Sequence, residues 1–248
     1  MIKKVGIYSL LVVFCMSLAS RSAKAQILAY GKAGLNFNTA KVVDLETEEK
    51  LSTGINAGLQ DFTLAAGIGF RIKNNLYLQC GLDWSVKGYR NQFSDDPWDR
   101  NQFWQIYKDF ENHKVRTRMH YIGVPITGTY VFNVKDLRIF AQGGLYTSYG
   151  LLGTEKISGK YEGEQREETL GEVFLQGGNK TFSEIGFIAK ERGDRGVLIG
   201  AGIEIDEFHF GLQYQRGTRN IARNDYDLRN RTVSLYALVN LFANKEPK

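Results

Sequence analysis

The sequence predicts an all-β fold, an eight-stranded antiparallel up-and-down transmembrane β-barrel with long extracellular loops. Three observations predict it: eight separate runs alternate apolar and polar residues, most runs are long enough to cross a bilayer, and the connections alternate between short and long. The stretch 196–217 shows the alternation plainly. Val197, Ile199, Ala201, Ile203 and Ile205 share one face, and after Asp206-Glu207 the pattern resumes with Phe208, Phe210, Leu212 and Tyr214. A period of two specifies strands, and the brief interruption specifies a hairpin.

The chain opens with a basic segment, "MIKK", an apolar run, "VGIYSLLVVFCMSLA", and Ala23-Lys24-Ala25 before Gln26. That order is the pattern of a secretory signal peptide, so residues 1–25 are expected to be removed on export. The barrel domain is then expected over 26–243, with 244–248 a short polar tail. Lys3, Lys4, Arg21 and Lys24 fall in the leader. Without them the 32 basic residues drop to 28 against 27 acids, leaving a net charge of +1. The basic character of the whole chain is therefore mostly targeting sequence, and no nucleic-acid partner is expected. Of the two cysteines only Cys80 remains, which excludes an intrachain disulfide and a thiolate cluster.

The strands follow in order at 27–38, 62–72, 76–89, 117–133, 137–152, 196–206, 208–216 and 232–242. A tilted strand needs roughly 9–11 residues to cross a bilayer, and most of these runs meet that length. Strands two and three join through Lys73-Asn74-Asn75, four and five through Val134-Lys135-Asp136, and six and seven at Asp206-Glu207. The other connections, 39–61, 90–116, 153–195 and 217–231, are long and polar. Segment 53–60 is expected to extend strand two past the membrane, with a bulge near Asp61 where the alternation slips. Loop 153–195 carries "GKYEGEQREETLGE" (159–172), a run too polar to pack by itself.

The faces decide which medium surrounds the barrel. On strand two, Phe62, Leu64, Ile68, Phe70 and Ile72 oppose Thr63, Ala65, Gly67, Gly69 and Arg71. A soluble ligand-binding barrel, the third reading of this chain, would turn the apolar set inward and present a polar exterior. Glycine weakens a solvated outer face but suits a crowded, narrow interior, so the apolar set is assigned to lipid. Strand aromatics, Trp84, Tyr89, Tyr130, Phe132, Phe208, Phe210, Tyr214, Tyr236 and Phe242, gather towards strand ends as interfacial girdles do. In the last strand, Leu235, Val239 and Leu241 compete with Tyr236, Leu238 and Phe242 for the outer face. Pro125 lacks the N–H that a closed ladder requires, so a bulge or local break is expected there.

Several segments resemble the PorT-like outer-membrane β-barrel proteins of Gram-negative bacteria. They are "GKAGLNF" (31–37), "LDWSVKG" (82–88), "HYIGVPI" (120–126), "GAGIEI" (200–205) and "LQYQRGTRNI" (212–221). The resemblance implies an eight-stranded membrane barrel and, through one founding member, a link to surface-protein secretion. The tail "ANKEPK" and the length of 153–195 depart from that pattern.

Chemistry is sparsely encoded. His209 falls beside a short turn, His120 near the opposite rim and His113 in a loop, so no shared hydrolytic site is expected. No catalytic, cofactor-binding or metal site is expected, because phosphate-loop, H-E-x-x-H, C-x-x-C and G-x-S-x-G motifs are absent from the sequence. Arg71, Asp83, Lys87 and Glu204 fall on the inward phase and are expected to pair as a structural plug. In "DPWDRNQFWQIYKDFENH" (96–113), Asp99 can cap a short helix presenting Phe103, Trp104, Tyr107 and Phe110, and Trp98 joins them in a candidate contact surface. That surface is expected either to meet lipopolysaccharide or a partner protein, or to fold down as a lid on the barrel mouth. The leading reading is a non-enzymatic module acting through its surface loops, embedded in outer-membrane lipid. The alternative is an outer-membrane enzyme acting on lipid.

Overall fold

Alternating side chains and short turns produce a continuous antiparallel meander, seen here in a computed structural model that describes residues 27–44, 59–73, 75–92, 110–161, 164–172, 192–221 and 226–242. The strands are β1 (Ile27–Asp44), β2 (Leu59–Lys73), β3 (Leu76–Gln92), β4 (Phe110–Val134), β5 (Leu137–Tyr161), β6 (Glu164–Glu172), β7 (Gly193–Ile205), β8 (Phe208–Gly217) and β9 (Tyr226–Phe242). Their order is β4-β3-β2-β1-β9-β8-β7-β5-β6, and β4 also pairs with β5. That last pairing closes a ring of eight: β1 to β5 and β7 to β9. Closure leaves the ring without a free edge, which is what a bilayer requires of strands.

β6 is the element that sequence reasoning missed. It stands outside the ring, paired with the far half of β5 from Thr154↔Glu172 to Tyr161↔Glu164. The near half of β5 pairs with β7 from Arg138↔Glu204 to Tyr149↔Gly193. Residues 153–161 and 164–172, expected in a loop, are therefore a hairpin. β3, β4 and β5 likewise run past their expected ends, with Gln92↔Lys114 and Lys114↔Ser158 still paired. The four strands β3 to β6 form a sheet standing beyond the apolar belt.

The belt itself follows the expected phase. Leu35, Leu64, Ile68, Leu82, Ile199, Leu212 and Leu235 are all exposed, while Thr63, Gln79 and Gln213 are buried. The competition in the last strand resolves in favour of Leu235 and Leu241, which are exposed, and Val239, which is partly so; Tyr236 and Leu238 are buried inside. Tyr236 and Tyr89 are therefore corrected from interface girdle to interior. Trp84, Tyr130, Phe132, Phe208 and Phe210 remain outward.

The β3–β4 ladder pairs Cys80 with Ile126 and Asp83 with Gly123 but lacks the two pairs between them. Pro125 occupies one of those positions, so the missing N–H interrupts the ladder as expected. No bulge occurs at Asp61, because β1 and β2 keep one register from Ile27↔Phe70 to Asn38↔Leu59. The irregularity there belongs to the other side of β2, whose pairing with β3 ends at Thr63↔Ser85.

Inward glycines make room for rings. A Cβ on Gly67 or on Gly81 would lie 2.6 Å from the Tyr30 hydroxyl, and one on Gly202 would lie 2.7 Å from Phe140 Cζ. Tyr30, Phe140, Tyr236, Val131 and Leu238 fill the turn-side half as one cluster. Narrowness, rather than turn geometry, explains the glycine-rich inner face.

Candidate functional site

Register decides which inward side chains meet. At the turn end, Glu204 is cross-strand from Arg138 and from His209. Arg138 Nη1 lies 2.8 Å from Glu204 Oε1, and His209 Nε2 lies 3.0 Å from Asn240 Nδ2 and 3.8 Å from Glu204 Oε2. Arg71 sits over the Tyr77 ring at 5.9 Å.

Midway up, Lys32 donates to Gln213 Oε1 at 2.6 Å and lies 4.0 Å from the Tyr236 ring centre. Thr129 donates to Gln79 Oε1 at 2.9 Å. Asn36 and Asn38 accept from Ser234 (2.7 Å) and Thr232 (2.8 Å), and Asn38 donates to the Val86 carbonyl at 2.9 Å. These bonds leave a polar cavity of about 30 Å³, lined by Lys32, Asp83, Gln79 and Gln213 among others. Such a volume holds a water molecule or two and no solute.

The loop-side layer centres on Asp194. Lys87 Nζ lies 2.9 Å from Asp194 Oδ2, with both side chains almost fully buried. Asn230 donates to the same oxygen at 3.1 Å and the Tyr146 hydroxyl at 3.4 Å. The Lys87 ammonium also lies 4.2 Å from the Tyr146 ring and 5.2 Å from that of Tyr121. Thr117 bonds Glu155 at 2.7 Å further out.

The four charges expected to pair with one another are thus inside or at the interior rim, but they do not form one network. Lys87 pairs with Asp194, Glu204 pairs with Arg138 at the opposite end, and Arg71 meets an aromatic ring. Asp83 is buried on the cavity wall, and its Oδ1 accepts no hydrogen bond among the described residues. Lys32, Arg138 and Asp194 were the missing partners. Lys32 was legible, since it occupies the inward phase between Tyr30 and Gly34. Asp194 was not, because it precedes the apolar run that marks β7.

Trp98, Phe103, Trp104 and Tyr107 lie outside the described residues. Phe110 opens β4, paired with Tyr161, so 110–113 is strand rather than the end of a helix. His209 faces the interior at the turn end, whereas His120 is stacked on Trp84 at 6.0 Å between ring centres on the outward face. The barrel wall separates them. Among the described residues, no group of three or more His, Cys, Asp or Glu side chains is placed to hold a metal ion.

Outside the belt, charge lies on the surface of the protruding sheet. Lys156 bonds Glu167 at 2.6 Å and holds that exposed carboxyl below its ordinary range. Arg118 pairs with Asp61 at 3.0 Å. Arg116 is held below the ordinary arginine value, first by partial burial and next by the Arg118 guanidinium.

A closed eight-strand ring with an apolar exterior and a bonded, filled interior defines the class of small membrane-spanning β-barrels. The model of the outer membrane protein beta-barrel domain matches residues 20–223, and the chain belongs to that family. It is an outer-membrane β-barrel protein. No curated protein matches the sequence. Among solved structures, Neisserial surface protein A is similar at 14% identity and a TM-score of 0.40, covering 86% of this chain and 97% of that one. Ail, the attachment invasion locus protein of Yersinia pestis, is similar at 11% identity and 0.36, covering 85% and 97%. The outer membrane protease OmpT of Escherichia coli is similar at 9% identity and 0.37, covering 89% and 98%.

Proposed function

We propose that the protein is a non-enzymatic outer-membrane module, exported with loss of residues 1–25, that displays a rigid sheet and its loops to partner proteins at the cell surface. The observation that carries this reading is the length of β4 and β5. Each has 25 residues, against the roughly 9–11 that a crossing requires. The excess forms a hydrogen-bonded sheet with β3 and β6 that stands clear of the lipid. The filled interior supports a scaffold role over a channel, since its bonded side chains leave a cavity of only about 30 Å³ between them. The PorT-like segments support a finer reading, in which the displayed surface serves surface-protein secretion. Deleting the protein should then leave surface proteins in the periplasm.

Trypsin added to intact cells tests the display. Cutting is expected within 160–192, where Lys160 and Arg166 lie on the β5–β6 hairpin. Lys73 and Lys135, at the short turns, should be spared, because short turns face the periplasm in barrels of this kind. Cleavage at Lys73 or Lys135 with 160–192 intact would invert the topology and sink the reading. The purified barrel should also release no product from phospholipid or lipopolysaccharide. Turnover that disappears in His209→Ala or His120→Ala would replace the module with a lipid enzyme.

A further inference from the structure

The lipid-facing wall is not uniformly filled. A shallow apolar groove of about 580 Å³ crosses β9, β1, β2 and β3. Its floor is made by small side chains, Ala33, Ala66 and Ala237, and Leu64, Trp84 and Ile122 rise at its sides. Register brings them together: Ala33 pairs with Ala237, and its partner on β2 is Leu64, two residues from Ala66. The volume lies in the range of roughly 300–1,000 Å³ typical of pockets for small apolar ligands. The belt faces hydrocarbon, so an acyl chain is what a trough of this shape can take from its surroundings.

The groove ends against positive charge. Trp84 is edge-on to Phe62 at 5.2 Å and stacked with His120, and the next outward residues of β4 are Arg118 and Arg116. Arg118 stands four residues beyond Ile122, about 13 Å along the strand and about 9 Å along the membrane normal at a 45° tilt. Ile122 itself stands twelve residues from the Val134 turn, about 28 Å along the normal at that tilt, so Arg118 falls in the polar headgroup layer beyond a hydrocarbon core of roughly 30 Å.

The charge there is incompletely neutralised. Arg116 lies directly opposite Arg90 across the β3–β4 ladder and opposite Lys156 across β4–β5. Like charges in directly opposed positions destabilise a sheet. The neighbouring carboxylates, Asp61 and Glu167, already pair with Arg118 and Lys156. The Nε atoms of Arg116 and Arg118 are buried without a hydrogen-bond partner among the described residues. Those Nε atoms are closed to an outside ligand, but the Arg118 side chain is 40% exposed, and phosphate oxygens match the planar donor fork of arginine's terminal nitrogens.

We propose that this face binds one lipid A unit of lipopolysaccharide, with an acyl chain in the groove and a phosphate on Arg116 and Arg118. The groove runs across neighbouring strands from β9 to Ile122 of β4, the strand that carries both guanidinia, so a single amphiphile spans both. Lipid A unites the two chemistries and is the lipid of the leaflet on the loop side. The inference rests on that side being the cell surface, which the trypsin experiment tests separately.

The test uses the full barrel in phosphatidylcholine nanodiscs containing some diphosphoryl lipid A, with retained lipid counted by native mass spectrometry. One lipid A per barrel is expected. Arg116→Gln with Arg118→Gln should lower retention about tenfold or more, the loss expected from removing two charge-assisted contacts. Ala33→Phe with Ala66→Phe, filling the groove while leaving the arginines, should lower it as well. Dephosphorylated lipid A offered to the unmodified barrel should bind as weakly as the arginine variant, which tests the phosphate without any risk to folding. Equal retention with and without phosphate would overturn the proposal, as would undiminished retention in either double variant. Phosphatidylglycerol retained as well as lipid A would overturn the choice of lipid and make this a general anionic-lipid site.

Discussion

Asp194→Ala should be the most damaging single change in the barrel, destabilising it by roughly 3–5 kcal/mol, the range for leaving a buried charge without its partner. Lys87 is 1% exposed, and among the described residues the carboxylate within bonding distance is that of Asp194 at 2.9 Å. The Tyr146 and Tyr121 rings flank the ammonium but supply only the fraction of that attraction that a cation–π contact provides. Asn230 and Tyr146 also lose their shared acceptor. The double variant Lys87→Met, Asp194→Asn separates charge from packing. It should recover most of the loss, because an apolar side chain of similar length removes the stranded ammonium. Urea unfolding in detergent micelles, followed by tryptophan fluorescence, measures both. A double variant no more stable than Asp194→Ala would show that the pair contributes through shape and not through charge.

Leu64→Arg and Ile68→Arg come next, each expected to cost roughly 2–4 kcal/mol if the site lies near the bilayer midplane. Both residues are outward on β2 and nearly half exposed to the surroundings, which in a membrane means exposed to hydrocarbon. The penalty should fall to about 0–1 kcal/mol for Ile72→Arg, at the end of the strand, where the guanidinium reaches the interface. Thr63→Arg should behave differently. Thr63 is 6% exposed and donates to the Trp84 carbonyl, so an arginine there meets a packed wall and fails by overpacking, independent of membrane depth. Unfolding from lipid vesicles reads all four variants. Equal tolerance at 63, 64 and 68 would contradict the assigned phase.

Membrane-spanning strands were legible because hydrocarbon imposes a code. One face must be apolar at every second residue, and Phe62 to Ile72 or Val197 to Ile205 carry it without help from partners. Past the belt the code stops. Residues 164–172, "EQREETLGE", have no apolar period, yet they pair with β5 because a neighbouring backbone offers donors and acceptors. The far ends of β3, β4 and β5 were missed for the same reason.

Of the interior, alternation revealed which residues point inward but not which of them meet. Arg138 and Glu204 are bonded because the β5–β7 ladder sets them directly opposite, a register that no short turn between those two strands fixes. Lys135 and Asp206 adopt positive φ in the two short turns, at 54° and 53°, a conformation that aspartate takes readily and lysine seldom does. Asp194 escaped because it lies between Gly193 and Arg195, with no apolar neighbour to mark its strand. The aromatic residues 98–107 keep their sequence-level reading, a surface contact or a lid.

The central claim is a closed ring of eight strands whose apolar face meets lipid, sealed by the β4–β5 pairing that runs from Val134↔Leu137 to Phe110↔Tyr161. Electrophoresis in SDS before and after boiling tests it most directly. A barrel without a free edge gives the detergent no strand to peel, so the unboiled protein should stay folded and migrate apart from the boiled chain. Identical migration in the two lanes would contradict closure and, with it, the membrane barrel.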